Sequence, residues 1–167
     1  MYQFTTRNLS KLRVSTAFAK HGTDHQKVYD DSGVSPKTQD TLNVYVSGEF
    51  DVSCGDFKQT MSKGQTNFDL TLGKYPAGEV VNEVVSSEWG ARICVSAYTG
   101  KMQTEVTKMS ARQEVVAEHD CLVVLLSGEL IIGGLTLLPV SYREVGAKTT
   151  IVAGPRGAHF VMARMTE

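Results

Sequence analysis

Apolar positions in this chain fall in short alternating or continuous runs, separated by polar and glycine-rich breaks. The most marked stretch is residues 121–134, Cys-Leu-Val-Val-Leu-Leu-Ser-Gly-Glu-Leu-Ile-Ile-Gly-Gly, in which two apolar runs flank a Ser-Gly-Glu break. Each run is too short for a stable helix and contains β-branched residues. The stretch therefore predicts two buried strands, or one long strand bent at Gly128. Residues 42–52, Leu-Asn-Val-Tyr-Val-Ser-Gly-Glu-Phe-Asp-Val, carry the same pattern. Further strands are predicted over 12–19, 67–72, 80–85, 91–98, 102–109, 135–140, 142–145, 149–152 and 158–165, and over 111–118, where the β-branched Val115 and Val116 favour a strand over a short helical turn. Residues 21–40 predict a long loop with a short strand near 26–29, and 54–64 a polar segment with a turn near 62–64. A turn is expected at Tyr75-Pro76-Ala77-Gly78. No helical period persists over about eleven residues. Short strands punctuated by Gly, Pro and Ser predict an all-β sandwich or barrel.

The two Ser-Gly-Glu breaks, Ser47-Gly48-Glu49 and Ser127-Gly128-Glu129, lie 80 residues apart in a chain of 167. A second anchor matches Gly90-Ala91-Arg92-Ile93-Cys94-Val95-Ser96-Ala97 with Gly157-Ala158-His159-Phe160-Val161-Met162-Ala163-Arg164, at an offset of 67. An insertion of about thirteen residues in the first half, within 54–75, reconciles the two, and loop-closure entropy makes such an insertion cheap. Under this register Arg92 matches His159. A rival register aligns Pro76-Ala77-Gly78 with Pro155-Arg156-Gly157. The pattern predicts two β-units, residues 1–100 and 101–167, each leaving an apolar face to bury, in one compact chain whose halves can share strands.

Composition narrows the function classes. The hydrophobic fraction is 41%, the charged fraction 21% and the net charge −1, values of an ordinary globular chain. Lys and Arg form no stripe, so nucleic acid is not an expected partner. No apolar run is long enough to span a bilayer, so no membrane partner is expected either. The N-terminal segment lacks an apolar signal core, which predicts a cytoplasmic protein. Cys54, Cys94 and Cys121 are odd in number and widely spaced; they read as reduced thiols packed like small hydrophobes rather than as disulfides or a zinc site.

Leu125-Leu126-Ser127-Gly128-Glu129-Leu130 resembles the mid-strand of the cupin (RmlC-like) jelly roll, and Pro155-Arg156-Gly157-Ala158-His159 resembles the second cupin motif, one residue short. With the repeat, the chain resembles a compact bicupin. Leu12-Arg13-Val14-Ser15-Thr16-Ala17 is similar to the Trp-Arg-x-Ser-hydrophobic-Ala segment of the HutD/Ves family, although no Asn-Gly-Gly-rich segment of that family precedes it. The resemblance implies a duplicated cupin-like β-barrel and a role regulatory or accessory to amino-acid catabolism. Metal-binding cupins place His, His and Glu before the mid-strand glycine. Counting back from Gly128, those places hold Val115, Ala117 and Cys121; from Gly48, they hold Ser35, Lys37 and Thr41. Neither set can hold a transition metal, so no metal and no cofactor are expected.

Candidate chemistry is therefore sparse. His21 and His25 are four apart, but Gly22 argues against a helix and for a solvated loop. His119, between Glu118 and Asp120, reads as a surface residue. His159 shares a strand face with Val161 and Ala163. Arg13, Arg92 and His159 are the cationic or potentially cationic side chains of the clearest strands, and with Tyr45 they form the candidate ligand-binding set. A cavity-facing arginine meets either a protein carboxylate or a ligand's, because an unpaired buried charge is costly. The ligand expected is a small carboxylate. Metal-independent binding of that ligand is the leading function. The alternatives are an isomerase, epimerase or cyclase using His159 and a tyrosine in acid–base chemistry, and an interaction module with filled barrels. A homodimer is left open.

Overall fold

The computed structural model describes residues 2–3, 12–28, 41–66, 80–97 and 101–166. Among them are fourteen strands and no helix. The chain divides into two compact units, Arg13–Thr99 with Met1–Tyr2, and Gly100–Glu167 with Gln3–Leu12. The strand expected at 67–72 and the turn at Pro76-Ala77-Gly78 lie outside the described residues.

Apart from the end residues Gln3 and Leu12, the first unit carries β1 (Tyr2–Gln3), β2 (Leu12–Lys20), β3 (Asp24–Val28), β4 (Thr41–Ser47), β5 (Glu49–Cys54), β6 (Phe57–Ser62), β7 (Val80–Val85) and β8 (Trp89–Ala97). They form two sheets, ordered β1-β2-β8-β4 and β3-β7-β5-β6. Residues 57–62 were expected within a polar segment. They form a strand because their backbone completes a hairpin with β5, Cys54 facing Phe57 around the Gly55–Asp56 turn. Alternation along β5 is clean, with Phe50, Val52 and Cys54 buried and the residues between them outside or half-outside.

The second unit carries β9 (Lys101–Met109), β10 (Glu114–Val116), β11 (Cys121–Ile132), β12 (Leu135–Leu137), β13 (Tyr142–Val145) and β14 (Thr150–Thr166). The stretch at 121–132 is one strand, and 149–152 and 158–165 join into one 17-residue strand. These two long strands run antiparallel in two legs. Along one leg, Leu122–Leu125 pair with Phe160–Ala163, with β13 and β9 on either side. Along the other, Leu130–Ile132 pair with Ile151–Ala153, with β12 and β10 on either side. A closed barrel was expected; none of the three sheets closes on itself among the described residues.

The bend between legs sits at Gly128, whose φ is +83° and whose added Cβ would lie 2.2 Å from the Gly157 carbonyl oxygen. Gly48 has φ +72°, and its Cβ would lie 2.1 Å from the Trp89 carbonyl oxygen. L-residues avoid this backbone region, and no side chain fits that gap. Both glycines follow a register shift, between Tyr45 and Ser47 in one unit and between Leu125 and Ser127 in the other.

The pairings give a second offset directly. Ser47 faces Ala91 and Tyr45 faces Arg92, where Ser127 faces His159 and Leu125 faces Phe160. Phe50 faces Val85, where Leu130 faces Ala153. The later strands thus match at 68, not at 67. Arg92 occupies the place of Phe160 rather than His159, and one residue in a strand exchanges the two faces. Even the outer bonds agree: the Tyr45 amide donates to the Gln65 carbonyl at 2.9 Å, and the Leu125 amide to the Ser141 carbonyl at 3.0 Å.

Gly128→Ala is expected to cost about 3 kcal/mol or more, combining strain with the backbone collision. Gly133→Ala, also at positive φ but with open space around it, should cost only about 1 kcal/mol. Urea unfolding midpoints of the two variants check the difference; equal losses would show that the close approach is not what requires Gly128.

Candidate functional site

Opposed residues on neighbouring strands share a face. In the second unit one such face runs through Leu125, Phe160 and Thr107, then Val123, Met162 and Glu105, and then Arg164 and Gln103, with Cys121 beside them. Its deep end is apolar, with Leu125 and Phe160 fully buried in a core cluster with Leu130, Ile132 and Ile151. Its outer end opens into a cleft of about 380 Å³. Gln103, Glu105, Thr107, Met162 and Arg164 come from β9 and β14, Val115 from β10, Ala117, Glu118 and His119 from the connection that follows it, and Cys121 from the start of β11.

Arg164 is half-buried there, and its Nη2 donates to Oε1 of Gln103 at 2.7 Å. It has no carboxylate within ion-pair distance among the described residues. Thr107 Oγ1 is buried without a hydrogen-bond partner among them. Burial, and then the charge of Asp120, push the Cys121 thiol up to about 11, while Arg164 pulls it the other way. It is a neutral thiol at ordinary pH, hence no nucleophile. Val115, Ala117 and Cys121, the places of the metal-binding motif, all line this cleft. Two are hydrocarbon and the third a protonated thiol. Among the described residues no three His, Cys, Asp or Glu side chains converge as metal ligands would. Ser35 and Lys37 lie outside the described residues.

The matching face of the first unit is filled differently. Tyr45 stands opposite Arg92, and Glu83 stands opposite Val52. The Tyr45 hydroxyl donates to Oε2 of Glu83 at 2.9 Å, and Arg92 Nη1 donates to Oε1 of the same carboxylate. Tyr45 is 2%, Glu83 3% and Arg92 8% exposed. The Tyr45 ring leans on Phe50 with centroids 5.0 Å apart, anchoring the phenol from the apolar side. The register gives Leu125, Ile151 and Phe160 as the counterparts of Tyr45, Glu83 and Arg92. Of the two partners expected for a buried arginine, a protein carboxylate or a ligand's, Arg92 has the first: Glu83 supplies it from within the fold.

Of the other candidates, Arg13 is exposed between buried Leu12 and Val14. His159 points to the face opposite Phe160 and lines a shallow groove with Ser127, Lys108 and Arg156. The structure thus brings Tyr45 and Arg92 together and places His159 away from the second-unit cleft. His21 is exposed, its Nδ1–H directed at the carbonyls of Ser86 and Ser87 at 3.1 and 3.3 Å; the His25 side chain is not described. His119 is exposed, as a surface residue should be, but on the rim of the cleft. Cys54, Cys94 and Cys121 are free thiols. Sequence reasoning missed Glu83, Gln103, Glu105 and Arg164. A signal existed for two of them: Glu83 is in phase with Val81 and Val85, and Arg164 with Phe160 and Met162.

No family model and no curated protein matches the sequence. Solved structures do match. HutD from Pseudomonas fluorescens SBW25 aligns over 100% of this chain and 87% of its own at 10% identity, with a TM-score of 0.64. A salicylate 1,2-dioxygenase from Pseudaminobacter salicylatoxidans aligns over 93% and 71% at 7% identity, with a TM-score of 0.62. A cupin 2 conserved barrel domain protein from Leptotrichia buccalis aligns over 93% and 84% at 9% identity, with a TM-score of 0.56. At such identities the likeness is one of fold.

Arg92→Met is expected to destabilise by about 3–5 kcal/mol, because it strands the buried Glu83 carboxylate. The triple variant Tyr45→Leu, Glu83→Ile, Arg92→Phe, which copies the second unit, should lose less than the single one. Chemical denaturation measures both, and a triple loss equal to the sum of three singles would contradict an interacting set. The Cys121 thiol, raised from 9.0 to about 11, gives a pH signature. Above pH 9 the unfolded thiol ionises while the folded one stays protonated, so stability falls between about pH 9 and 11. The advantage of wild type over Cys121→Ala should shrink by about 2–3 kcal/mol across that window. A pH-independent difference in unfolding free energy would contradict the burial.

Proposed function

Because this chain is a cupin-superfamily protein by fold, we propose that it is a metal-independent small-molecule-binding protein of the bicupin type, whose ligand is a small carboxylate held by Arg164 in the second-unit cleft. The observation that carries this is the half-buried Arg164 guanidinium, which lines a 380 Å³ cleft bonded to an amide and, among the described residues, in no ion pair. A guanidinium offers a planar fork of donors that a carboxylate fills with two parallel hydrogen bonds. Apolar walls from Val115, Ala117 and Met162 suit a short carbon skeleton. The missing imidazoles and carboxylates at the motif places support metal independence.

Duplication is supported by the matched strand orders, the paired register shifts and the two positive-φ glycines with the same backbone contact. In this view one unit keeps a ligand cleft while the Tyr45–Glu83–Arg92 set fills the corresponding space in the other. A HutD/Ves relationship belongs to the same proposal, and the alignment with HutD along the full chain is a likeness of fold; a regulatory or accessory part in amino-acid catabolism rests on the sequence resemblance alone.

Thermal shift and calorimetric titration with acetate, propionate, succinate and benzoate test the proposal. At least one should stabilise the wild type, as ligand binding to the native state requires. Arg164→Met should weaken that binding about tenfold to a hundredfold, the worth of a charge-assisted pair. Arg156→Met, outside the cleft, should leave it unchanged. Equal binding by Arg164→Met and wild type would rule the site out.

A further inference from the structure

We infer that the ligand of the second-unit cleft is a zwitterion, an amino-acid-like molecule whose carboxylate meets Arg164 and whose ammonium meets Glu105; this rests on Arg164 being a carboxylate anchor. Glu105 lies opposite Met162, and Arg164 lies opposite Gln103. The two charged residues are therefore diagonal neighbours on adjacent strands, their Cβ atoms roughly 7 Å apart or a little less. Both side chains are long enough to meet. They do not pair: Arg164 is bonded to the Gln103 amide, and Glu105 has no ion-pair partner among the described residues. Opposite charges stand side by side in one cleft, neither of them in an ion pair among the described residues.

A plain carboxylate bound at Arg164 would sit close to the Glu105 carboxylate, and Glu118 lines the same cleft. Like charges at such range repel, most strongly where water is displaced. An ammonium adjacent to the bound carboxylate reverses that term, turning Glu105 from a penalty into an attraction. An amine without a carboxylate would meet the mirror problem, repulsion from Arg164. Only a ligand that carries both charges satisfies both walls. Thr107 stands one position deeper than Glu105 on the same strand face, and its buried Oγ1 has no partner among the described residues. It offers a donor and acceptor to a polar atom of the same ligand, which leaves Met162 and Val115 to pack the carbon skeleton.

The test is calorimetric titration of the full chain with each of the twenty L-amino acids, its des-amino acid, and its decarboxylated amine. Glu105→Gln and Arg164→Met serve as variants; Glu105 is exposed, so its amide preserves the fold. At least one amino acid should bind at least tenfold more tightly than its des-amino acid. Glu105→Gln should lower the amino acid's affinity about tenfold and leave the des-amino acid unchanged or tighter. Arg164→Met should lose both. If des-amino acids bind as well as amino acids and Glu105→Gln treats them alike, the zwitterion falls and the carboxylate site stands. If amines bind as well as amino acids, or if no compound binds the wild type, the carboxylate site falls with it.

Discussion

The approach of Gly128 to the carbonyl of Gly157 is the constraint on which the second unit depends. Two long strands, β11 and β14, must bend together without parting. They can do so only where one backbone nearly touches the other and no Cβ intervenes. On one side of that crossing the pair carries the wall of the cleft, Cys121 to Leu125 facing Phe160 to Arg164. On the other side it carries Leu130 across from Ala153 and Ile132 across from Ile151, all in the apolar core cluster. The cleft is open at one end and sealed at the other because the same two strands serve both legs. Gly48 against Trp89 imposes the same turn on β4–β5 and β7–β8.

Under the proposed duplication, the difference between the units lies in what fills them. Leu125, Ile151 and Phe160 exclude water by area alone, and a fully buried side chain of this kind is worth about 1.5–3 kcal/mol. Tyr45, Glu83 and Arg92 bring a desolvation cost that their mutual bonds must offset. Those bonds have fixed directions, which adds to the register constraint that burial of one strand face already imposes on both units. Each carboxylate oxygen of Glu83 takes one donor, and the phenol ring keeps its apolar side on Phe50. The Glu83 carboxylate is thus paired within the fold, and Arg164, not Arg92, is the guanidinium that lines the cleft.

Much of the architecture was legible because its causes are local. The Ser-Gly-Glu breaks marked both bends, since only glycine tolerates that φ beside another backbone. Alternation marked most strands. What misled was a Gly-Ala match that set the later strands one residue out of register. Gly90 and Gly157 are glycines for different reasons: a side chain at 90 would strike the Phe50 ring, and one at 157 would strike the Met109 carbonyl. Identical letters with different causes aligned, and the slip paired Arg92 with His159. The strand at 57–62 was missed because a hairpin edge needs no apolar run. Glu105 and Arg164 escaped because they become neighbours only through pairing across more than fifty residues. No local pattern announces a partner so far along the chain.

The placement of β14 has a consequence for biosynthesis. It is the last strand of its unit to be made, yet it lies inside the sheet, flanked by β9 and β10 on one side and β11 on the other. Until it emerges from the ribosome, β11 lacks a neighbour on that edge, and its run Cys121–Leu126 stays uncovered. That run is apolar, partly β-branched and uncharged, the composition that self-associates as stacked strands. Nascent chains of this protein therefore pass through a stage in which aggregation competes with folding, and a slower translation of β14 lengthens it.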